Sequence, residues 1–239
     1  MRLINRTPAL GIIGALAVSV SGTASQITFE SLPGNNTSFA TALEYQLNWN
    51  VIKAANPTPP AGYGSAAATL WDWDGSAWPQ PGQILNQGLI NGGSNIDIAF
   101  HYRVDFWLDA SEAGEMALRI APDFGFGGSV VLDGTAVGHN PNDMWWNSSW
   151  NDSNQLFEFT VNLAAGHHSV DVYGQEGCCD GPTAGQFSLK QGPWVSFSDT
   201  DGLNSNSVPE NLGVMSFAAT LAALGLARFR FHRAFELQA

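Results

Sequence analysis

The sequence predicts an all-β protein, a single antiparallel β-sandwich of jelly-roll type, set between an apolar leader and an apolar tail. Three observations predict it. Apolar and polar residues alternate with period two over several stretches of the chain. Turn dipeptides fall between those stretches. The composition also runs against helices, with 26 Gly and 12 Pro in 239 residues and only two lysines.

The elements follow in chain order. Residues 27–30 form a short strand. Leu43, Tyr45, Leu47, Trp49 and Val51 alternate with Glu44, Gln46, Asn48 and Asn50, which predicts a second strand over 43–51. Pro57, Pro59 and Pro60 make 56–63 a loop. Residues 67–71 form another short strand. The longest alternation runs from Ile96 to Asp109, followed by Met116, Leu118 and Ile120. Asp133-Gly134 closes a hairpin after 130–132. Phe157, Phe159, Val161 and Leu163 make one strand, Val170 and Val172 another, with Ala165-Gly166 between them. Residues 186–189 and 194–197 complete about ten strands, the count of a sandwich. Half-buried alternation of this kind belongs to antiparallel sheets.

The two ends read as an address. Arg2 and Arg6, an uncharged run from Ala9 to Val20, then Gly22-Thr23-Ala24, have the form of a secretory signal peptide over 1–24. Signal peptidase is the expected partner, cutting after Ala24. A sandwich domain over 25–198 and a flexible linker over 199–207 follow. At the other end 212–227 is uncharged and apolar or small, and Arg228, Arg230 and Arg233 come after it. This predicts a transmembrane helix whose basic side stays in the cytoplasm.

Val208-Pro209-Glu210, the apolar helix and the arginines together resemble the PEP-CTERM sorting signal of Gram-negative bacteria, here over 208–233. The resemblance implies processing by exosortase. It further implies an inner-membrane-anchored precursor that ends at the cell surface or in the extracellular matrix, in association with exopolysaccharide or biofilm. Asn211 stands where the second proline of the motif falls, and Ala234 to Ala239 extend beyond the arginines. Cys178-Cys179-Asp180-Gly181 in the body is similar to the CCXG subgroup of that family.

Charge excludes some functions. Between Ser25 and Glu210 stand four basic residues, Lys53, Arg103, Arg119 and Lys190, against twenty acidic ones, a net of −16. Such a surface repels nucleic acid and anionic headgroups. No G-x-S-x-G, H-E-x-x-H or Walker loop is present, so the chain is read as non-enzymatic.

Aromatic clusters carry the binding expectation. Trp145, Trp146 and Trp150 lie in a polar stretch with Asp143 and Asn147. Flat indoles beside amides and carboxylates suit sugars, stacking on C–H faces while the polar groups bond hydroxyls; packing at the end of the sandwich is the alternative. Of Trp71 and Trp73, alternation sends one inward. Residues 102–137, with strand, SEAGEM, strand, PDFGFGG and SVVLDGTAV, resemble the ligand-facing hairpins of PA14-type carbohydrate-binding sandwiches.

No cofactor is required by these patterns. Ca²⁺ is the one ion they could take, at Asp72 and Asp74 or at Asp123 and Asp133. Adjacent Cys178 and Cys179 lack the further ligands of a zinc site. In an oxidising compartment a vicinal disulfide between them is expected, with intermolecular bonds as the alternative. Three function classes follow: a glycan-binding module foremost, a structural matrix or adhesion protein, and a secreted hydrolase built on two carboxylates.

Overall fold

The computed structural model describes residues 22–73, 82–83, 96–178 and 181–205. Within them the chain is mostly antiparallel sheet with one helix. The strands are β1 (Gly22–Thr23), β2 (Gln26–Pro33), β3 (Gly64–Ala68), β4 (Ile96–Leu108), β5 (Gly114–Ala121), β6 (Asp123–Phe124) and β7 (Gly128–Leu132). They continue as β8 (Thr135–Asn140), β9 (Met144–Trp145), β10 (Phe157–Leu163), β11 (Gly166–Cys178), β12 (Ala184–Leu189), β13 (Val195–Ser196) and β14 (Asn204–Ser205).

An eight-stranded sheet has β4 and β11 at its centre, with β7 and β8 beyond β11, and β2 and β14 sharing the other edge of β4. A four-stranded sheet, β10-β5-β12-β13, packs over it. Even-numbered residues of β4 from Ile98 to Leu108 point between the sheets and are buried. They meet Met116, Leu118 and Ile120 of β5, Phe157 of β10 and Phe187 of β12 in one core. Trp71 closes the core, stacked on Tyr102 at 5.2 Å, with its Nε1 donating to Thr183 Oγ1 at 3.0 Å. The expected sandwich, with its antiparallel pairing and alternation, is therefore present. The turn after β7 has φ of +48° at Asp133 and +77° at Gly134, the positive pair that a tight hairpin of this hand requires.

One expected strand is a helix. Residues 43–51 lie inside α1 (Ala42–Ala55). Thr41 is its N-cap: the hydroxyl accepts from Glu44 N, and the Glu44 carboxylate accepts from Thr41 N at 2.9 Å. This reciprocal capping box is a start signal that the alternation conceals. Tyr45 and Trp49, spaced by four, are buried with Ala42. Leu43, Leu47 and Val51, also spaced by four, are exposed. The period-two row thus divides between two faces of a helix. The buried face packs on the outer side of the large sheet against Leu32, Ala99, Val131 and Tyr173.

The expected linker also differs. Residues 199–205 are docked on the body: Leu203 is buried, and the Asp201 carboxylate accepts from the backbone N–H of Ser198 and Leu203 at 3.1 Å each. Burial pushes the Asp201 carboxyl up, and those donors oppose the push. Ala24 N donates to Leu203 O at 3.0 Å, so the expected cleavage point lies beside this docked segment. Among the described residues no helix is long and apolar enough to cross a membrane; the sorting tail at 208–233 lies outside them.

Beside α1 the outer face holds a charge network. His101 Nδ1 lies 3.0 Å from Glu30 Oε2, and its Nε2 lies 2.8 Å from Asp171 Oδ1. The ring stacks on Tyr173 at 4.7 Å. Lys53 of the helix holds Glu30 at 2.8 Å, and Arg103 binds Asp171 and Asp105. Burial alone would lower the His101 pKa, but hydrogen bonds from its ring to Asp171 and Glu30 raise it above 6.5. The bond with His101 is the largest influence on Glu30, whose pKa falls from 4.5 to about 2 despite burial.

The signs are opposite. A raised histidine contributes stability that is full below 6.5 and is lost as pH rises through its folded value. A lowered carboxylate contributes stability present above 4.5 that is lost as pH falls towards about 2. Thermal unfolding across pH should therefore show its highest midpoint between 4.5 and 6.5. In His101→Gln the decline above 6.5 should disappear; a wild-type midpoint that does not decline there contradicts this account.

Candidate functional site

An open groove of about 720 Å³ lies where the glycine-rich turn, β6, β9 and the end of β11 meet. Its lining includes Asn36, Asp123, Phe126, Asp143, Trp145, Glu176, Cys178, Gly181 and Pro182. Trp145 and Cys178, over thirty residues apart in sequence, thus share one end of the sandwich.

The pleat decides which indole is presented. β6 and β9 pair antiparallel, Asp123 opposite Trp145 and Phe124 opposite Met144. Directly opposed side chains share a face. Phe124 and Met144 enter the core with no exposed surface, while Asp123 and Trp145 line the groove. Trp145 is 61% exposed. Its neighbour Trp146 points the other way and is 1% exposed, packed edge-on to Trp73 and 5.0 Å from Trp150. Trp150 is half-buried and covers the Arg119 guanidinium at 4.1 Å, with Trp194 on its other side at 4.2 Å. Asp143 and Asn147 are exposed. Of the five expected sugar-binding residues, Trp145 and Asp143 line the groove, Trp146 and Trp150 pack beside it, and Asn147 is exposed next to them.

Glu176 holds the groove wall together. Its Oε2 accepts from Gly125 N at 2.5 Å and its Oε1 from Cys178 N at 2.8 Å. Burial raises its pKa; backbone N–H groups of Cys178, Gly125 and Gly177 pull it back down, and Asp143 raises it further. Phe126 N donates to Gln175 O at 3.0 Å, and Phe126 O accepts from the Tyr45 hydroxyl of α1 at 2.6 Å. The turn is thus tied to β11 on one side and to the helix on the other. Gly181 is the close approach: a Cβ there would overlap the Asp123 carboxylate.

Glu176, Asn36, Phe126 and Gly181 were not singled out from sequence as groove residues. Gly181 belongs to the Cys178-Cys179-Asp180-Gly181 stretch, but nothing local tells that it abuts Asp123. Two buried carboxylates, Asp123 and Glu176, do share the groove. Both Glu176 oxygens accept from backbone N–H groups, which anchors this carboxylate between the turn and the end of β11.

The calcium candidates do not come together. Asp123 and Asp133 flank opposite ends of β7. Asp133 accepts from Ser169 N at 2.8 Å and meets His168 Nδ1 at 2.7 Å. Asp72 accepts from Ser196 Oγ, and Asp74 lies outside the described residues. Among the described residues no group of three His, Cys, Asp or Glu side chains could hold a metal ion. Cys178 is exposed at the end of β11; Cys179 lies outside the described residues, and the vicinal disulfide with it.

No family model and no curated protein matches the chain. Solved structures resemble it at low identity. The PA14 sugar-binding domain from an RTX adhesin is 14% identical, covering 75% of this chain and 98% of that one, with a TM-score of 0.43. The PA14 domain of the MpAFP antifreeze protein is 11% identical, covering 85% and 95%, with a TM-score of 0.41. The epithelial adhesin 9 A domain of Candida glabrata, solved with Galβ1-3GlcNAc, is 13% identical, covering 76% and 88%, with a TM-score of 0.41.

The two neighbouring indoles should separate in denaturation. Trp146→Ala leaves a cavity in a packed cluster and should cost about 3–5 kcal/mol. Trp145→Ala removes an exposed ring and should stay within about 0.5 kcal/mol of wild type. Urea midpoints for the two variants measure both; equal losses would mean that Trp145 is packed rather than presented.

Proposed function

We propose that this chain is a non-enzymatic glycan-binding module displayed outside the cell. The observation that carries this is the open groove with Trp145 exposed on its wall beside Asp143 and Asp123. A sugar ring would lay its C–H face on the indole, and its hydroxyls would bond the carboxylates and the Asn36 amide. A glycan array with the purified body should show retention that Trp145→Ala abolishes while the unfolding midpoint is kept. No retained glycan for wild type would refute the reading.

The address read from the termini accompanies this proposal. The leader, Val208-Pro209-Glu210, the apolar segment and the arginines support export and exosortase-dependent sorting to the surface of a Gram-negative cell. A structural or adhesive role is the second reading. The observation favouring it is the exposed row Leu43, Leu47 and Val51 on α1, an apolar surface suited to another protein.

The cysteine pair is proposed to form a vicinal disulfide at the groove rim, where Cys178 sits. The exported protein should then be lighter by two hydrogens than its reduced form, with both cysteines in one unlabelled peptide. Native labelling of both thiols would rule the ring out.

A further inference from the structure

We propose that the groove selects glycans carrying free amino groups, such as de-N-acetylated hexosamine chains, over neutral and uronate-rich ones. This rests on the glycan-binding reading and adds the charge class of the ligand.

The first support is the sign of the walls. Three side chains lining the groove carry carboxyl groups, Asp123, Asp143 and Glu176, and none of the described lining residues is Lys, Arg or His. Glu176 spends its oxygens on backbone donors, which leaves Asp143 as the exposed carboxylate at the rim. The body's cations are engaged elsewhere. Arg119 is held between Trp150 and Trp194, Arg103 by Asp105 and Asp171, Lys53 by Glu30, and Lys190 by the Ser111 carbonyl. Nothing among them offsets the groove, and the body's net charge of −16 deepens its potential. A uronate would enter against that field.

The second support is independent of charge count. Trp145 offers a largely exposed indole opposite Asp123 in the β6–β9 pair. An indole face attracts both sugar C–H groups and a cation. A ring bearing an ammonium group uses both at once and places its charge beside a carboxylate. A bare divalent ion is served less well, since the described carboxylates do not converge as a metal shell.

The test uses the full chain and four probes of equal length: a glucosamine oligomer, its N-acetylated counterpart, a cello-oligosaccharide and an oligogalacturonate. Calorimetry at low and physiological salt, with and without chelator, reads the affinities. The glucosamine oligomer should bind roughly tenfold or more tighter than the N-acetylated one, as expected for one charge-assisted contact. The preference should shrink with salt. Asp143→Asn should lose most of the preference, weakening the glucosamine oligomer far more than its N-acetylated counterpart; equal weakening of both overturns the charge selectivity. Equal affinity for the free and acetylated amines overturns the selectivity and leaves the glycan reading standing. Uronate binding that the chelator removes overturns it in favour of a bridging cation. Absence of binding to all four probes, together with an empty array, overturns the glycan reading itself.

Discussion

The long antiparallel ladder between β4 and β11 is the constraint on which the other features depend. It runs in constant register from Leu108 opposite Gly166 to Ile96 opposite Cys178. Because side chains alternate across a strand, this one ladder supplies two surfaces. One face carries Phe100, Tyr102, Val104 and Phe106 into the core. The other carries His101, Arg103 and Asp171 into the charge network beside the helix. A shift of a single residue would exchange the two faces and bury the charges. The same ladder delivers Glu176 and Cys178 to the end of the sandwich where the groove opens.

The groove is a consequence of how that end is closed. The glycine-rich turn after β6 cannot continue the ladder, so its N–H groups need other acceptors. Glu176 takes the N–H of Gly125, Gln175 takes that of Phe126, and Tyr45 donates to the Phe126 carbonyl. With the turn held there, the β6–β9 pair forms a separate two-stranded sheet and sends Asp123 and Trp145 to the groove side, Asp123 buried and Trp145 exposed. Support from β11 on one side and the helix on the other fixes the turn beside the exposed indole, an arrangement that would lower the ordering cost of a bound ligand.

The helix has consequences at both places. Its buried side covers the outer face of the large sheet, and the Tyr45 hydroxyl reaches the groove wall. Its exposed side shows three apolar residues. One short element therefore links the charge network, the groove and an uncovered apolar surface.

Much of the fold was legible in local pattern. Period-two alternation located the central strands, and Asp133-Gly134 located a hairpin, because pleat and turn stereochemistry act over a few residues. The same reasoning failed at 43–51, where alternating apolar residues also fit two helix faces and only the Thr41–Glu44 box broke the tie. It read 145–150 only as a polar stretch, with no face assigned to each indole, although Met144, Trp145 and Trp146 alternate in, out and in. By itself the sequence determined the sandwich class, the acidity of the body and the residue types available for a sugar. Tertiary structure alone decided that Trp145 is presented while Trp146 is packed, and that Asp123, Asp143, Glu176 and Cys178 meet in one groove. These residues are brought together by the β6–β9 and β7–β11 pairings, between segments that lie far beyond the reach of a local motif. The register of those pairings is set by burial over the whole sheet, not by any local motif.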